Sequence, residues 1–202
     1  MGMKHTTAVV GLLGAAWVVA LTVVGGATYP GYDHATQYIS ELGANGAPHA
    51  AAVNFLGFLP SGVLLTAFAV LSWRALPRST AATLGAVGLA LYSVGYLAVV
   101  AFPCDFGCRP AEPSASQALH NLFGLAGYLF APATLFALGL AARRWRDGAH
   151  LSWLGRVAAV PALVGLLALE AEYAGAAQRL LEGSVLVWVT ACALYLGRRA
   201  HD

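Results

Sequence analysis

Most of the side chains able to do chemistry in this 202-residue chain fall in short polar intervals of an otherwise apolar sequence. The interval "YPGYDHATQYISELGANGAPHA", residues 29–50, holds Asp33, His34, Ser40, Glu41 and His49. A second, "FPCDFGCRPAEPSASQALHNLFG", residues 102–124, holds Cys104, Asp105, Cys108, Ser116, His120 and Asn121, and a third, "EAEYAGAAQR", contains Glu170 and Arg179. Three imidazoles suggest one chemistry. His34, His49 and His120 are candidate zinc ligands, Asp105 or Glu41 a further ligand or general base, and a metal-bound water the nucleophile of a hydrolase. Ser116 lies four residues before His120, so the two share one helical face.

Each of these residues also has a plainer reading. Asp33 suits a helix cap, His34 and Glu41 a solvated helix face, and His49 the membrane interface. Glu170 and Arg179 suit an ion pair across a turn. Cys104 and Cys108 are expected to form a disulfide if they face an oxidising compartment, with a metal pair or free thiols as the alternatives. Cys192 reads as a small buried residue. Haem would need histidines deep in facing helices, which the sequence lacks. No nucleotide-binding glycine motif is present, because the glycines sit in apolar runs where they serve packing.

The elements that must position these groups follow from composition. Hydrophobic residues make up 59% of the chain and charged residues 10%, against about 25% charged in soluble domains; mean hydropathy is +0.69. Hydrocarbon offers no water to backbone amides, so spanning segments are helices or closed barrels. The apolar runs here are unbroken rather than alternating, which selects helices. Six stretches reach the roughly 20 residues a bilayer needs, at roughly 7–28, 52–73, 81–102, 119–142, 151–170 and 180–197. The first resembles a signal peptide in following Lys4 and His5 and in offering Gly25 and Ala27, but its apolar core from Ala8 to Ala27 is too long for one. The expected fold is therefore all-α: one polytopic membrane bundle over residues 1–202 with no internal repeat.

Charge sets the expected orientation. Lys4, Arg74, Arg78, Arg143, Arg144, Arg146, Arg156, Arg198 and Arg199, nine of the eleven basic residues, fall at the termini and the 2–3 and 4–5 connections. The positive-inside rule assigns that side, with both termini, to the cytoplasm of a bacterial or archaeal plasma membrane. Seven of the nine acids, Asp33, Glu41, Asp105, Glu112, Glu170, Glu172 and Glu182, are assigned to the opposite side. No span is then expected to carry an acid near its middle. In the first outer loop, Ala35, Tyr38, Ile39 and Leu42 recur at i, i+3, i+4 and i+7, predicting a short amphipathic helix capped by Asp33 and ended by a left-handed Gly43, with a turn at Asn45-Gly46. Gly85, Gly88, Tyr92 and Gly95 of span 3 are expected to pack on Gly124, Gly127 and Ala131 of span 4.

Three separated motifs, "PGYDHATQYISELGANGAP", "FPCDFGC" with "SQALHNLFG", and "EYAGAAQRL", resemble the bacterial and archaeal integral membrane family known as domain of unknown function 998. The resemblance covers nearly the whole chain. It implies a multi-span protein with Tyr32, Asp33, Ser40, Glu41, Asp105, His120, Gln178 and Arg179 on one face, and it implies no activity. Ser116-x-x-x-His120 also resembles an element of the alkaline ceramidase and adiponectin receptor group, but the seventh span and terminal His-x-x-x-His of that group have no counterpart here.

The reading that results is an outer-side polar pocket between helices. It would bind a membrane lipid or other amphiphile rather than nucleic acid, through Asp33, His34, Ser40, Glu41, Asp105, His120, Asn121, Glu170 and Arg179. An intramembrane zinc hydrolase, with Asp105, Glu41, Ser116 and His120 as its catalytic candidates, is the first alternative. A small transporter is the second.

Overall fold

Apolar runs bounded by polar caps become helices. The computed structural model describes residues 2–200. Among them six helices are long and apolar enough to cross a membrane: α1 (Met3–Thr28), α2 (Ala50–Ala75), α3 (Thr80–Ala101), α4 (Ala115–Ala142), α5 (Ala149–Leu167) and α6 (Ala174–Arg198). Ser79 and Ser114 start α3 and α4 by accepting from the Ala82 and Gln117 amides, both at 3.1 Å. Within α2 the stretch Val53–Phe58 widens to π geometry just before Pro60. Proline has no N–H to return to the carbonyl four residues earlier, and that carbonyl, of Leu56, instead accepts from the Trp17 indole at 2.8 Å.

The spans form a ring in chain order: each packs on the next, and α6 closes the ring against α1. Its interior is filled by side chains with almost no exposure, among them Leu65, Phe68, Leu135, Leu181 and Val189. The outward faces carry the reverse pattern, with Val24 60%, Leu122 61% and Val160 63% exposed. A surface this apolar is suited to lipid rather than water. Both termini lie at one end, where Lys4 Nζ donates to the Arg199 carbonyl at 3.0 Å and Arg199 pairs with Asp147.

Three expectations about the elements need correction. The loop between α1 and α2 contains no amphipathic α-helix. Residues Ile39–Gly43 form a 3₁₀ turn that is buried on every side, so the apolar spacing reflects burial all round rather than one buried face. Gly43 does not adopt a left-handed conformation; it is kept small by Asn54, whose side chain donates to the Gly43 carbonyl at 2.9 Å. The left-handed turn falls at Gly46, with φ +82°. The last helix starts at Ala174, several residues before the expected boundary, so Glu182 is its ninth residue, about 12 Å along the axis. A span does carry a buried acid.

Small residues set the interhelical spacing, though not at every expected position. A Cβ on Gly85 or Gly88 would strike Leu138 or Thr134, and one on Gly127 would reach the Tyr92 backbone at 3.1 Å; one on Gly95 would make ordinary contact with the Phe123 carbonyl of α4 at 3.8 Å, and Gly124 instead has open space beside it. Helices α4 and α5 also approach closely, where a Cβ on Gly155 would lie 2.8 Å from both the Gly139 Cα and the Leu135 carbonyl oxygen. Gly155→Leu is expected to cost about 1–3 kcal/mol by forcing the helices apart, read as a lowered midpoint of thermal unfolding in detergent. Gly183→Ala, which meets nothing within 4 Å, should leave that midpoint unchanged or raise it.

Candidate functional site

At the end of the bundle away from the termini, α3, α4 and α6 separate around a cavity of about 380 Å³. Helical spacing selects its walls. On α4 they are Gln117, His120, Asn121, Gly124, Leu125 and Tyr128; on α3, Tyr92, Gly95, Tyr96 and Val99; on α6, Gln178 and Glu182. Phe58 of α2 adds a further aromatic wall. Gly124 has no atom within 4 Å of where its Cβ would stand, so its missing side chain is part of the cavity. Leu125, 55% exposed, shows that the α4 side is open.

The floor is a single carboxylate. Glu182 is 4% exposed and accepts from three phenols: Tyr128 at 2.5 Å on one oxygen, Tyr92 and Tyr96 on the other. Gln178 extends the network upward by donating to the Tyr128 hydroxyl at 2.7 Å and accepting from the Ile39 amide at 2.6 Å. Buried polar groups need such partners, and this chain of bonds ties the 3₁₀ turn to the floor. No cation joins it. Among the described residues the ion pairs are those of Asp147 with Arg146 and Arg199, at the other end of the protein.

The roof is held by Arg109, Tyr38 and the α5–α6 connection. Arg109 stacks 4.7 Å over the Tyr38 ring. It donates to the Tyr38 hydroxyl at 2.6 Å and to the Leu169 carbonyl at 3.0 Å, while Tyr38 donates to that same carbonyl at 2.6 Å. Burial raises the Tyr38 phenol above its ordinary value, against the opposing effect of Arg109. The Arg109 guanidinium is itself raised, chiefly by its bond to Tyr38. Both groups therefore keep these protonation states at neutral pH.

Four of the residues expected to bind a ligand line this cavity: Ser40, His120, Asn121 and Glu170. The others are engaged elsewhere. Asp33 accepts from the Ala35 amide at 2.8 Å and from the Thr36 hydroxyl, closing a local turn rather than capping a helix; these bonds, led by the Ala35 amide, lower its carboxyl pKa. Glu41, far from being a solvated face, is buried and accepts from the Tyr38 amide and the Gln37 side chain, both at 2.8 Å. Asp105 binds the Ser114 amide and hydroxyl at 2.9 and 2.7 Å. Those bonds hold its carboxyl below the ordinary value near 3.8, so its contribution to stability is present above that value and is lost as pH falls through the lower folded one. Ser116 donates to the Pro103 carbonyl at 2.7 Å.

Arg179 forms no ion pair with Glu170. Its guanidinium donates to the Gln37 and Gly175 carbonyls, both at 2.9 Å, and to the Tyr32 hydroxyl at 2.7 Å, and it lies 3.0 Å from His34 Nδ1.

The three histidines do not converge. His34 meets Arg179, and His49 is exposed in a left-handed conformation before α2. His120 reaches the Phe102 carbonyl through Nδ1 at 3.0 Å. A carbonyl only accepts, so Nδ1 carries the proton and Nε2 keeps its lone pair. Among the described residues the grouping with metal-ligand spacing is Cys104, Cys108 and His120, with ligand atoms within 4.8 Å of one another. The two sulfurs are joined in a disulfide and are not the thiolates zinc takes, which leaves the imidazole as the free donor. The residues that sequence reasoning missed are Glu182 and the tyrosines around it. The available signal was the i, i+4 pairing of Tyr92 with Tyr96 and of Gln178 with Glu182 on apolar helices.

The sequence pattern of a family described as protein of unknown function, DUF998, matches residues 12–195, and the chain belongs to that family. No curated protein and no solved structure matches it.

The disulfide predicts a thiol count. A denatured, unreduced sample should expose one thiol to maleimide, that of Cys192, and a reduced sample all three cysteines, read as mass added to the intact protein.

Proposed function

We propose that this family member binds a membrane lipid or other amphiphile in the cavity between α3, α4 and α6. The observation that carries the reading is a cavity of about 380 Å³ with apolar walls and a small set of convergent polar groups on its floor, which is the common make-up of a ligand pocket. The polar end of the ligand reaches inward to Glu182 and its tyrosines. The apolar part lies along Val99, Leu125 and Leu169 and leaves on the open α4 side toward lipid. Residues at the roof, Ser40, Asn121, Arg109 and Glu170, meet whatever polar atoms remain near the mouth. The basic end of the bundle is cytoplasmic by the positive-inside rule, which sets the pocket on the outer side of a plasma membrane.

A second reading, carriage of the same ligand, is favoured by one observation. Glu182 is a buried acid within a span, and ionisable groups in such positions commonly mark transport pathways.

The test uses Gly124→Leu, which grows a side chain into the cavity without meeting a neighbour at its Cβ. Wild-type protein purified in maltoside detergent should carry an amphiphile into native mass spectrometry, and the variant should carry at least tenfold less while unfolding at the same temperature. Equal retention by the two would reject the pocket. A cysteine replacing exposed Glu172 should react with an impermeant maleimide on intact cells and one replacing Arg78 should not; the reverse pattern would invert the orientation.

A further inference from the structure

The cavity described above ends on a carboxyl group whose hydrogen-bond partners in the protein are all neutral. Glu182 accepts from Tyr92, Tyr96 and Tyr128, and phenols supply hydrogen bonds but no charge. The nearest basic residue along the helix, Arg179, directs its guanidinium at Tyr32, His34 and two backbone carbonyls on the far side of the Gln178 contact. Arg109 is occupied by Tyr38 and the Leu169 carbonyl at the mouth. A carboxylate taken out of water is costly unless it is paired with opposite charge, and here the space beside it belongs to the ligand.

The walls favour the same kind of occupant. Tyr92, Tyr96, Tyr128 and Phe58 all border the cavity. Their rings are inclined to one another rather than parallel, Tyr92 at 72° to Tyr96 and 42° to Tyr128, and Phe58 at 44° to Tyr96, so they surround the floor instead of stacking flat. Aromatic walls attract an ammonium group through the ring quadrupole, most strongly where water is excluded. An anionic group placed there would face Glu182 at close range in a poorly screened setting, and a neutral one would gain nothing from the charge.

We infer that the polar end of the ligand reaching Glu182 is a cation of the alkylammonium class, held by the carboxylate below and the tyrosine rings around it. The inference rests on the pocket reading given above and narrows it. The paired acid is supplied by the protein and the paired base by the ligand, which explains why a buried carboxylate is kept in the last helix without a partner arginine.

The experiment is isothermal titration of the protein in neutral maltoside detergent with three probes that share a hexyl chain: hexyltrimethylammonium, hexanol and hexyl phosphate. The expected result is saturable binding of the ammonium probe at least tenfold tighter than hexanol, with hexyl phosphate weakest. Glu182→Gln, which keeps the shape and can still accept from the phenols, should weaken the ammonium probe tenfold or more and leave hexanol unchanged; Gly124→Leu should abolish both. If Glu182→Gln does not fold, the charge preference of the wild-type protein decides alone. Equal or tighter binding of hexyl phosphate, or ammonium binding indifferent to Glu182→Gln, overturns the cation while the pocket stands, provided Gly124→Leu still blocks the probe. Failure of all three probes to saturate, or binding indifferent to Gly124→Leu, overturns the pocket itself.

Discussion

One carboxylate inside a bundle that lipid surrounds sets the terms for everything near it. Three tyrosines on two helices turn their hydroxyls toward Glu182, and they can do so only because α3 and α4 stand apart from α6 at that level. The gap that lets the phenols in is the same gap that makes the cavity. Packing alone would have closed it: below Glu182, where Val185, Trp188 and Val189 face inward, the ring is filled. Polar satisfaction in a water-poor interior therefore costs packing at one end, and a cavity remains there.

The roof obeys a related rule. A long connection has backbone donors and acceptors that need partners wherever they are buried, and here side chains supply them: Glu41 and Gln178 bind the amides of Tyr38 and Ile39, and Asn54 and Arg179 bind the carbonyls of Gly43 and Gln37. The motif residues Glu41, Asp105, Gln178 and Arg179 thus each divide their side-chain hydrogen bonds between backbone and neighbouring side chains. They build the lid, and Glu182 with its tyrosines furnishes the interior.

How far the sequence reveals this depends on which rule each residue obeys. Long apolar runs must be helices in lipid, so the six spans and their order are legible from hydropathy, and glycine contacts at Gly85, Gly88 and Gly127 follow from the need for close approach. The loop between α1 and α2 is not legible, because its apolar spacing fits an amphipathic helix and a fully buried 3₁₀ turn equally well, and only the surrounding helices decide. Glu182 is masked for a different reason. With the last span begun at residue 180 it reads as an acid at the very mouth of the span, whereas the helix in fact begins at Ala174 and carries the acid inside. Gly124 shows the same limit: a glycine that admits a neighbouring helix and one that leaves a void look identical in one dimension.

The circular order of the spans has a consequence for how such a protein is made. Every neighbour contact in the ring except one joins consecutive segments, so five of the six seams can form as each hairpin leaves the insertion machinery. The remaining seam waits for the C-terminal helix to meet the first one. That helix also brings the acid. The phenols that receive it are already in the membrane, synthesised earlier on α3 and α4, so the most polar event in the interior coincides with the closing of the circle, and the carboxyl group is delivered to hydroxyls that precede it.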